Sequence, residues 1–98
     1  MGDFKMRSFA NLKRTLNEGV YLTMIQHDLM PNNKLIGLKR KIIKRKSNAI
    51  QLEGGSWLYF DKPASHFQYT CFNEFKVLLN PDSMDSKYMV YRIGYNHE

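Results

Sequence analysis

Cysteine is almost absent from this sequence of 98 residues, because Cys71 is the only one. A single thiol excludes an intrachain disulfide, and it excludes a zinc site built from several cysteines of one chain. Tyr69 and Phe72 lie close to Cys71 in the sequence, which predicts a small buried hydrophobe rather than a reactive thiol. The fold must therefore be stabilised by its core.

Long apolar runs are also missing, since no stretch approaches the ~20 apolar residues that span a bilayer. Residues 1–10 contain Asp3, Lys5 and Arg7 and lack the apolar stretch of a signal peptide. We therefore expect no contact with a membrane and a location in the cytoplasm. The chain is 43% apolar and 13% aromatic, which excludes a disordered tail and predicts a single domain over residues 1–98.

Catalytic motifs are missing as well. Gly54-Gly55-Ser56 lacks the spacing and the lysine of a phosphate-binding loop, and no serine lies in a G-x-S-x-G elbow. Adjacent residues of an extended chain point to opposite faces, so Ser65 and His66 are not expected to form a nucleophile–base pair. Asp82 and Asp85 are typical of a turn. The three histidines have no ligand-like spacing: His27, His66 and His97. We expect no enzyme, no metal and no cofactor.

Positive charge, in contrast, is concentrated in one segment. The sequence KRKIIKRK at residues 39–46 contains six of the 15 basic residues, and without them nine basic residues balance nine acidic ones. The formal net charge of +6 therefore resides in this segment. Two interpretations are open. The long side chains can simply keep an edge strand hydrated and unpaired, or they bind an anionic partner that relieves their mutual repulsion.

The N-terminal part of the chain predicts one helix followed by a strand. Ser8 is a suitable N-cap, and Phe9, Leu12 and Leu16 form one apolar face of a helix over about residues 8–18. Gly19 is suited to the left-handed position that follows a helix. Residues 20–25 are β-forming on both faces, which predicts a central strand. The basic segment fits either a helix or a strand; the strand is favoured because a Ser47-Asn48 turn and an alternating segment follow it.

The remaining sequence predicts short strands and tight turns. Gly54-Gly55 permits positive φ in a connection before the aromatic strand at 56–60. Residues 67–79 alternate strongly, with a bend or bulge expected near residues 71–73. Residues 87–93 are predicted to form a last strand, followed by a frayed C-terminal tail. The prediction is an α+β fold in which the helix packs on a five- to six-stranded antiparallel sheet, curled into a small Src-homology-3-like barrel. An open sheet with the helix on one face is the alternative.

Residues 54–65, GGSWLYFDKPAS, contain a Gly-Ser-Trp-Leu-x-aromatic motif at Gly55 to Phe60, followed by Ala64-Ser65. With the Ser47-Asn48 turn and the basic strand before it, this motif resembles small uncharacterised proteins of phages and mobile elements in low-GC Gram-positive bacteria. The order of Lys62 and Pro63 departs from the pattern, in which proline leads. The resemblance covers residues 8–79. It implies a phage origin and a small α+β fold, and it implies no chemistry.

Two functions follow as expectations. The first is a non-enzymatic protein that binds nucleic acid or a nucleoprotein; six phosphate contacts on duplex DNA predict a slope of log affinity against log salt near −5. The second is an inhibitor of a host defence protein, as anti-CRISPR proteins are. Trp57 and Tyr59 share one side of their strand. A core position is favoured for Trp57, and the alternative is that Trp57 and Tyr59 are aromatic contacts for a partner. The predicted cationic contacts for either partner are Lys39, Arg40, Lys41, Lys44, Arg45 and Lys46.

Overall fold

The structure is a computed structural model that describes residues 9–71 and 73–94. Within them, one α-helix and a short 3₁₀ turn (Ala64–His66) accompany seven strands. The helix is α1 (Phe9–Thr15), and the strands are β1 (Tyr21–His27), β2 (Lys39–Lys46), β3 (Ala49–Leu52), β4 (Trp57–Tyr59), β5 (Phe67–Cys71), β6 (Glu74–Leu78) and β7 (Tyr88–Gly94). The predicted N-cap Ser8, the predicted tail and Phe72 lie outside the described residues.

The strands form one antiparallel sheet in the order β4-β3-β2-β1-β7-β6-β5. Two meanders, β2 to β4 and β5 to β7, lie on either side of β1, which pairs with β2 and with β7. The predicted α+β class, the antiparallel sheet and the central position of the first strand are therefore confirmed. The basic segment is a strand, so the helical alternative for it is wrong.

Helix α1 packs on one face of the sheet, and its end differs from the prediction. Leu12 and Leu16 are buried in the same core cluster as the inward side chains of the strands. The helix ends at Thr15 because the Asn17 side chain donates a hydrogen bond to the Arg14 carbonyl and the Asn17 backbone donates one to Thr15. Gly19 has φ of +94° but lies in the link to β1, where its N–H bonds the Ile42 carbonyl at 2.9 Å. It is therefore not the residue that ends the helix.

The segment predicted as one long strand over residues 67–79 is a hairpin. β5 and β6 pair with each other, with Phe67 opposite Val77 and Tyr69 opposite Phe75. The expected bend near residues 71–73 is thus a reversal of the chain, and this split raises the number of strands from the predicted five or six to seven. The alternation was read correctly, since Phe67, Phe75 and Val77 are buried.

The sheet is curled but not closed over the described residues. β4 and β5 are its two edges, and yet Phe60, directly after β4, contacts Phe67 of β5 with ring centroids 6.1 Å apart. Phe9 of α1 packs against both rings, at 6.2 Å from Phe60 and 4.7 Å from Phe67. We call Phe9, Phe60 and Phe67 the aromatic cluster. It joins the helix to the segments at both edges, and a closed barrel stays a prediction.

Candidate functional site

A β-bulge in β2 decides which cations share a face. Ile42 pairs with Leu52, whereas Lys44, two residues later in β2, pairs with Gln51, which is only one residue earlier in the antiparallel β3. The extra residue reverses the inward–outward alternation beyond this point. Ile42 is completely buried and Ile43 is 46% exposed, and beyond them it is Arg45, not Lys44, that turns toward the core.

The bulge places four lysines on the outer face, which is the face of the sheet opposite α1. Lys39 and Lys41 point outward before the bulge, and Lys44 and Lys46 point outward after it. Without the bulge, regular alternation would separate these two pairs. We call Lys39, Lys41, Lys44 and Lys46 the lysine row. Of the six cations predicted as contacts, the four lysines therefore lie on the outer face, while Arg40 and Arg45 turn inward.

The two predicted aromatic contacts lie beside this row. Trp57 and Tyr59 occupy the outer face of edge strand β4, while Leu58 and Phe60 are buried on the other face. Their rings stack with centroids 6.1 Å apart and planes inclined by 27°. The Nζ of Lys46 lies 4.7 Å from the Trp57 ring centroid, which is within cation–π distance. The tertiary structure thus brings together the C-terminal half of the lysine row and the aromatic pair.

Tyr21 is a member of this surface that sequence reasoning missed. It lies on β1 directly opposite Lys41, and its ring centroid is 5.2 Å from the Lys39 Nζ and 5.9 Å from the Lys41 Nζ. The outer face therefore alternates cations and rings across β1, β2 and β4. The sequence does show an aromatic residue in a strand with two partly apolar faces. It does not show the register of β1 against β2, which places Tyr21 beside the lysines.

Arg40 lies in the interior and is 5% exposed. Its guanidinium donates a hydrogen bond to the Ser56 Oγ at 3.2 Å and another to the Tyr91 hydroxyl. Burial raises the pKa of Tyr91, and the charge and hydrogen bond of Arg40 oppose this shift in part. Arg40 was a predicted binding residue, but its side chain does not reach the outer face. Its contacts are those of a structural residue.

Arg45 also has intramolecular partners. Its guanidinium lies 5.1 Å from the Phe60 ring centroid and donates a hydrogen bond to the Lys13 carbonyl of α1 at 3.1 Å. It thereby ties β2 to the last turn of the helix and to the aromatic cluster. The planar, weakly hydrated guanidinium suits this half-buried position better than an ammonium group does.

The charge of the outer face is only partly compensated. The ion pairs found in residues 9–71 and 73–94 are Lys87–Asp85 at 3.0 Å and Arg92–Glu74 at 2.8 Å, and neither includes Lys44 or Lys46. Glu53 lies beside β2, where its carboxylate accepts a hydrogen bond from the Lys41 backbone at 2.8 Å. The end of β2 that faces Trp57 therefore contains two lysine charges that take no part in the ion pairs of the described residues.

The serine, histidine and aspartate residues considered above as catalytic or metal-binding candidates do not form a cluster in the described structure. Asp85 pairs with Lys87 in the β6–β7 loop, and His66 lies half-buried on the 3₁₀ turn, with Ser65 exposed before it. Within the described part of the chain, no group of three or more His, Cys, Asp or Glu residues has a geometry that would hold a metal ion. None of the helical segments described has the length and hydropathy that a bilayer span requires.

The fold and site define a class of protein: a small α+β domain with one described helix, whose open antiparallel sheet presents lysines and aromatic rings on its outer face. Comparisons of the chain with protein families, with curated proteins and with solved structures find no match. The resemblance to phage and mobile-element proteins therefore stays a prediction.

Proposed function

We propose that this protein is a non-enzymatic binding protein that contacts nucleic acid or a nucleoprotein through the lysine row. The observation that carries the proposal is the placement of four lysines on one face of an eight-residue strand, made possible by the bulge at Ile43. Like charges held this close repel each other, and a polyanion relieves that repulsion. Simple hydration of a strand edge does not account for Lys39 and Lys41, because β2 is an internal strand and pairs with β1 over Lys39–Lys41.

The dimensions of the strand suit a phosphate backbone. Outward residues of a strand repeat every ~6.6–6.8 Å, so the row follows an extended polyanion over several charges. Four phosphate contacts predict a slope of log affinity against log salt of about −3.5 on duplex DNA. This is shallower than the slope near −5 expected from six cations, because Arg40 and Arg45 have partners inside the protein.

The direct test is a binding titration of the purified protein with fluorescently labelled nucleic acid of mixed sequence, repeated over a salt series. We expect Lys44→Ser/Lys46→Ser to weaken binding and to reduce the magnitude of the salt slope by about 1.8 on duplex DNA or about 1.4 on a single strand. Lys34→Ser is the matched control, because Lys34 is an exposed lysine in the β1–β2 loop. Equal affinities of the double variant and this control would contradict the proposal.

A second candidate is a phage-encoded inhibitor that binds a host defence protein in the bacterial cytoplasm. The half-exposed Tyr59, beside Trp57 and Lys46, supports it, because exposed aromatic residues next to cations are frequent anchors of protein interfaces. An inhibitor of this kind does not bind naked nucleic acid. It co-purifies with one host protein after nuclease treatment, whereas a nucleic-acid binder loses such partners.

A further inference from the structure

We propose that the ligand of the outer face is a single-stranded polynucleotide, and that Tyr59, supported by Trp57, is the platform on which one of its bases stacks. This inference rests on the proposed function and specifies the substrate class of the same surface. It assigns distinct tasks to the two predicted groups of residues: the lysines bind phosphates, and the aromatic pair binds a base.

The geometry of the aromatic pair supports a stacking role. Tyr59 is 50% exposed although it is a large ring in a small domain, whereas the neighbouring Leu58 and Phe60 are buried. Its ring is held in place by the inclined stack on Trp57. A base that stacks on Tyr59 would therefore meet a ring that is already oriented, which lowers the entropy cost of binding.

The position of the pair relative to the lysines fits one nucleic-acid strand. β4 is separated from β2 by β3, so the rings lie about 10 Å from the axis of the lysine row. Lys46 bridges this gap, because its Nζ reaches the Trp57 ring. Phosphates that follow β2 would thus leave their bases directed toward β4.

The edge position of β4 favours a single strand over a duplex. The described sheet ends at β4, so a base can approach Tyr59 from beyond the sheet edge. In a duplex, the faces of the bases are stacked on their neighbours and a protein ring cannot reach them without unstacking. The lysines alone do not discriminate between the two forms, and so the aromatic pair decides the preference.

The test compares a single-stranded DNA of about 12 nucleotides, an RNA of the same length and the corresponding DNA duplex, a length within the range of known single-strand sites. Binding is followed by anisotropy of a labelled probe and by the intrinsic fluorescence of Trp57, the one tryptophan of the chain. We expect both single strands to bind more tightly than the duplex and to quench Trp57. If both single strands bind more tightly than the duplex, a single-stranded ligand is supported, whether DNA and RNA bind equally or one of them binds more tightly.

Tyr59→Ala should weaken single-strand binding by about 5- to 100-fold and leave duplex binding unchanged, since base–aromatic stacking contributes on this scale. Tyr59→Phe keeps the ring and should retain the affinity. If single strand and duplex bind equally and Tyr59→Ala has no effect, while Lys44→Ser/Lys46→Ser still weakens binding, the inference is wrong and the proposed function stands. If none of the three probes binds, the inference is wrong, and so is the part of the proposed function that concerns naked nucleic acid.

Discussion

At the scale of single residues, the arginines and lysines of β2 have different environments. Arg40 and Arg45 donate hydrogen bonds to Ser56 and to the Lys13 carbonyl, while the four lysines remain on the outer face. A guanidinium presents several donors in a fixed plane and is more weakly hydrated than an ammonium, so it is the better cation for a buried position. The two residue types in this segment are therefore not interchangeable.

The buried Tyr91 leads to a prediction about alkaline stability. Burial raises its pKa above the ordinary value near 10. Between the ordinary and the raised pKa, the unfolded chain has released the phenol proton while the folded protein keeps it. The free energy of unfolding therefore falls as the pH rises through this interval, and the contribution of Tyr91 is fully present below pH ~10.

Urea unfolding at pH values from about 9 to 11 measures this effect. Tyr91→Phe should lose less stability over the interval than the wild-type protein, because it has no phenol proton to release. Tyr59→Phe serves as the control, since the Tyr59 ring is half exposed and all three proteins contain the same lysines. Parallel pH profiles for the wild type and Tyr91→Phe would contradict the assigned pKa shift.

At the scale of elements, the bulge in β2 does most to shape the surface. It places Lys44 and Lys46 on the same outer face as Lys39 and Lys41, and it turns Arg45 toward α1. A bulge also increases the local twist of a strand, which suits a sheet that curls over a helix. One extra residue, Ile43, thus determines both the surface charge and the contact between helix and strand.

A pair of substitutions tests which residues of β2 face inward after the bulge. Arg45→Ala should lower the free energy of unfolding by about 1–3 kcal/mol, because it removes a charged hydrogen bond to α1 and a cation–π contact with Phe60. The neighbouring Lys44→Ala should change it by less than about 0.5 kcal/mol, because Lys44 is exposed. Chemical denaturation measures both values. The reverse order would mean that β2 alternates regularly, with Lys44 directed inward.

At the scale of the whole molecule, the two edges of the sheet are coupled although they lie six strands apart in the sheet order. The coupling runs through the aromatic cluster, in which Phe60 follows β4, Phe67 begins β5 and Phe9 belongs to α1. Arg45 packs on the same Phe60 ring from β2. The helix, both edges and the basic strand therefore meet at one place.

Phe60→Leu should consequently loosen both edges together. We expect a loss of about 1 kcal/mol in the free energy of unfolding, because the smaller side chain leaves part of the ring contacts unfilled. Hydrogen–deuterium exchange should accelerate in β4 and in β5, which share no strand pairing. Tyr59→Ala is the control on the outer face and should leave exchange in β5 unchanged. Faster exchange confined to β4 would show that the edges are independent.

Local patterns in the sequence were sufficient for most elements. The alternation of apolar residues and the turn residues Ser47-Asn48 and Gly54-Gly55 predicted β3, β4 and the α+β class, and both glycines have positive φ. Alternation alone did not reveal the hairpin between β5 and β6. The buried residues of both strands, Phe67, Phe75 and Val77, lie at odd-numbered positions, so the two-residue repeat continues unchanged across the turn. The helix end was also missed, since the Asn17 contacts with the final turn ended it before Gly19.

The sequence by itself determined that the excess positive charge is confined to residues 39–46, and that Trp57 and Tyr59 share a face, because these properties depend on composition and on the two-residue repeat of a strand. Only the tertiary structure decided which cations are on the surface. The bulge, the burial of Arg40 and the meeting of Lys46 with Trp57 depend on the pairing of β2 with β3 and of β3 with β4. Pairing between strands involves residues distant in sequence, and no local pattern specifies its register.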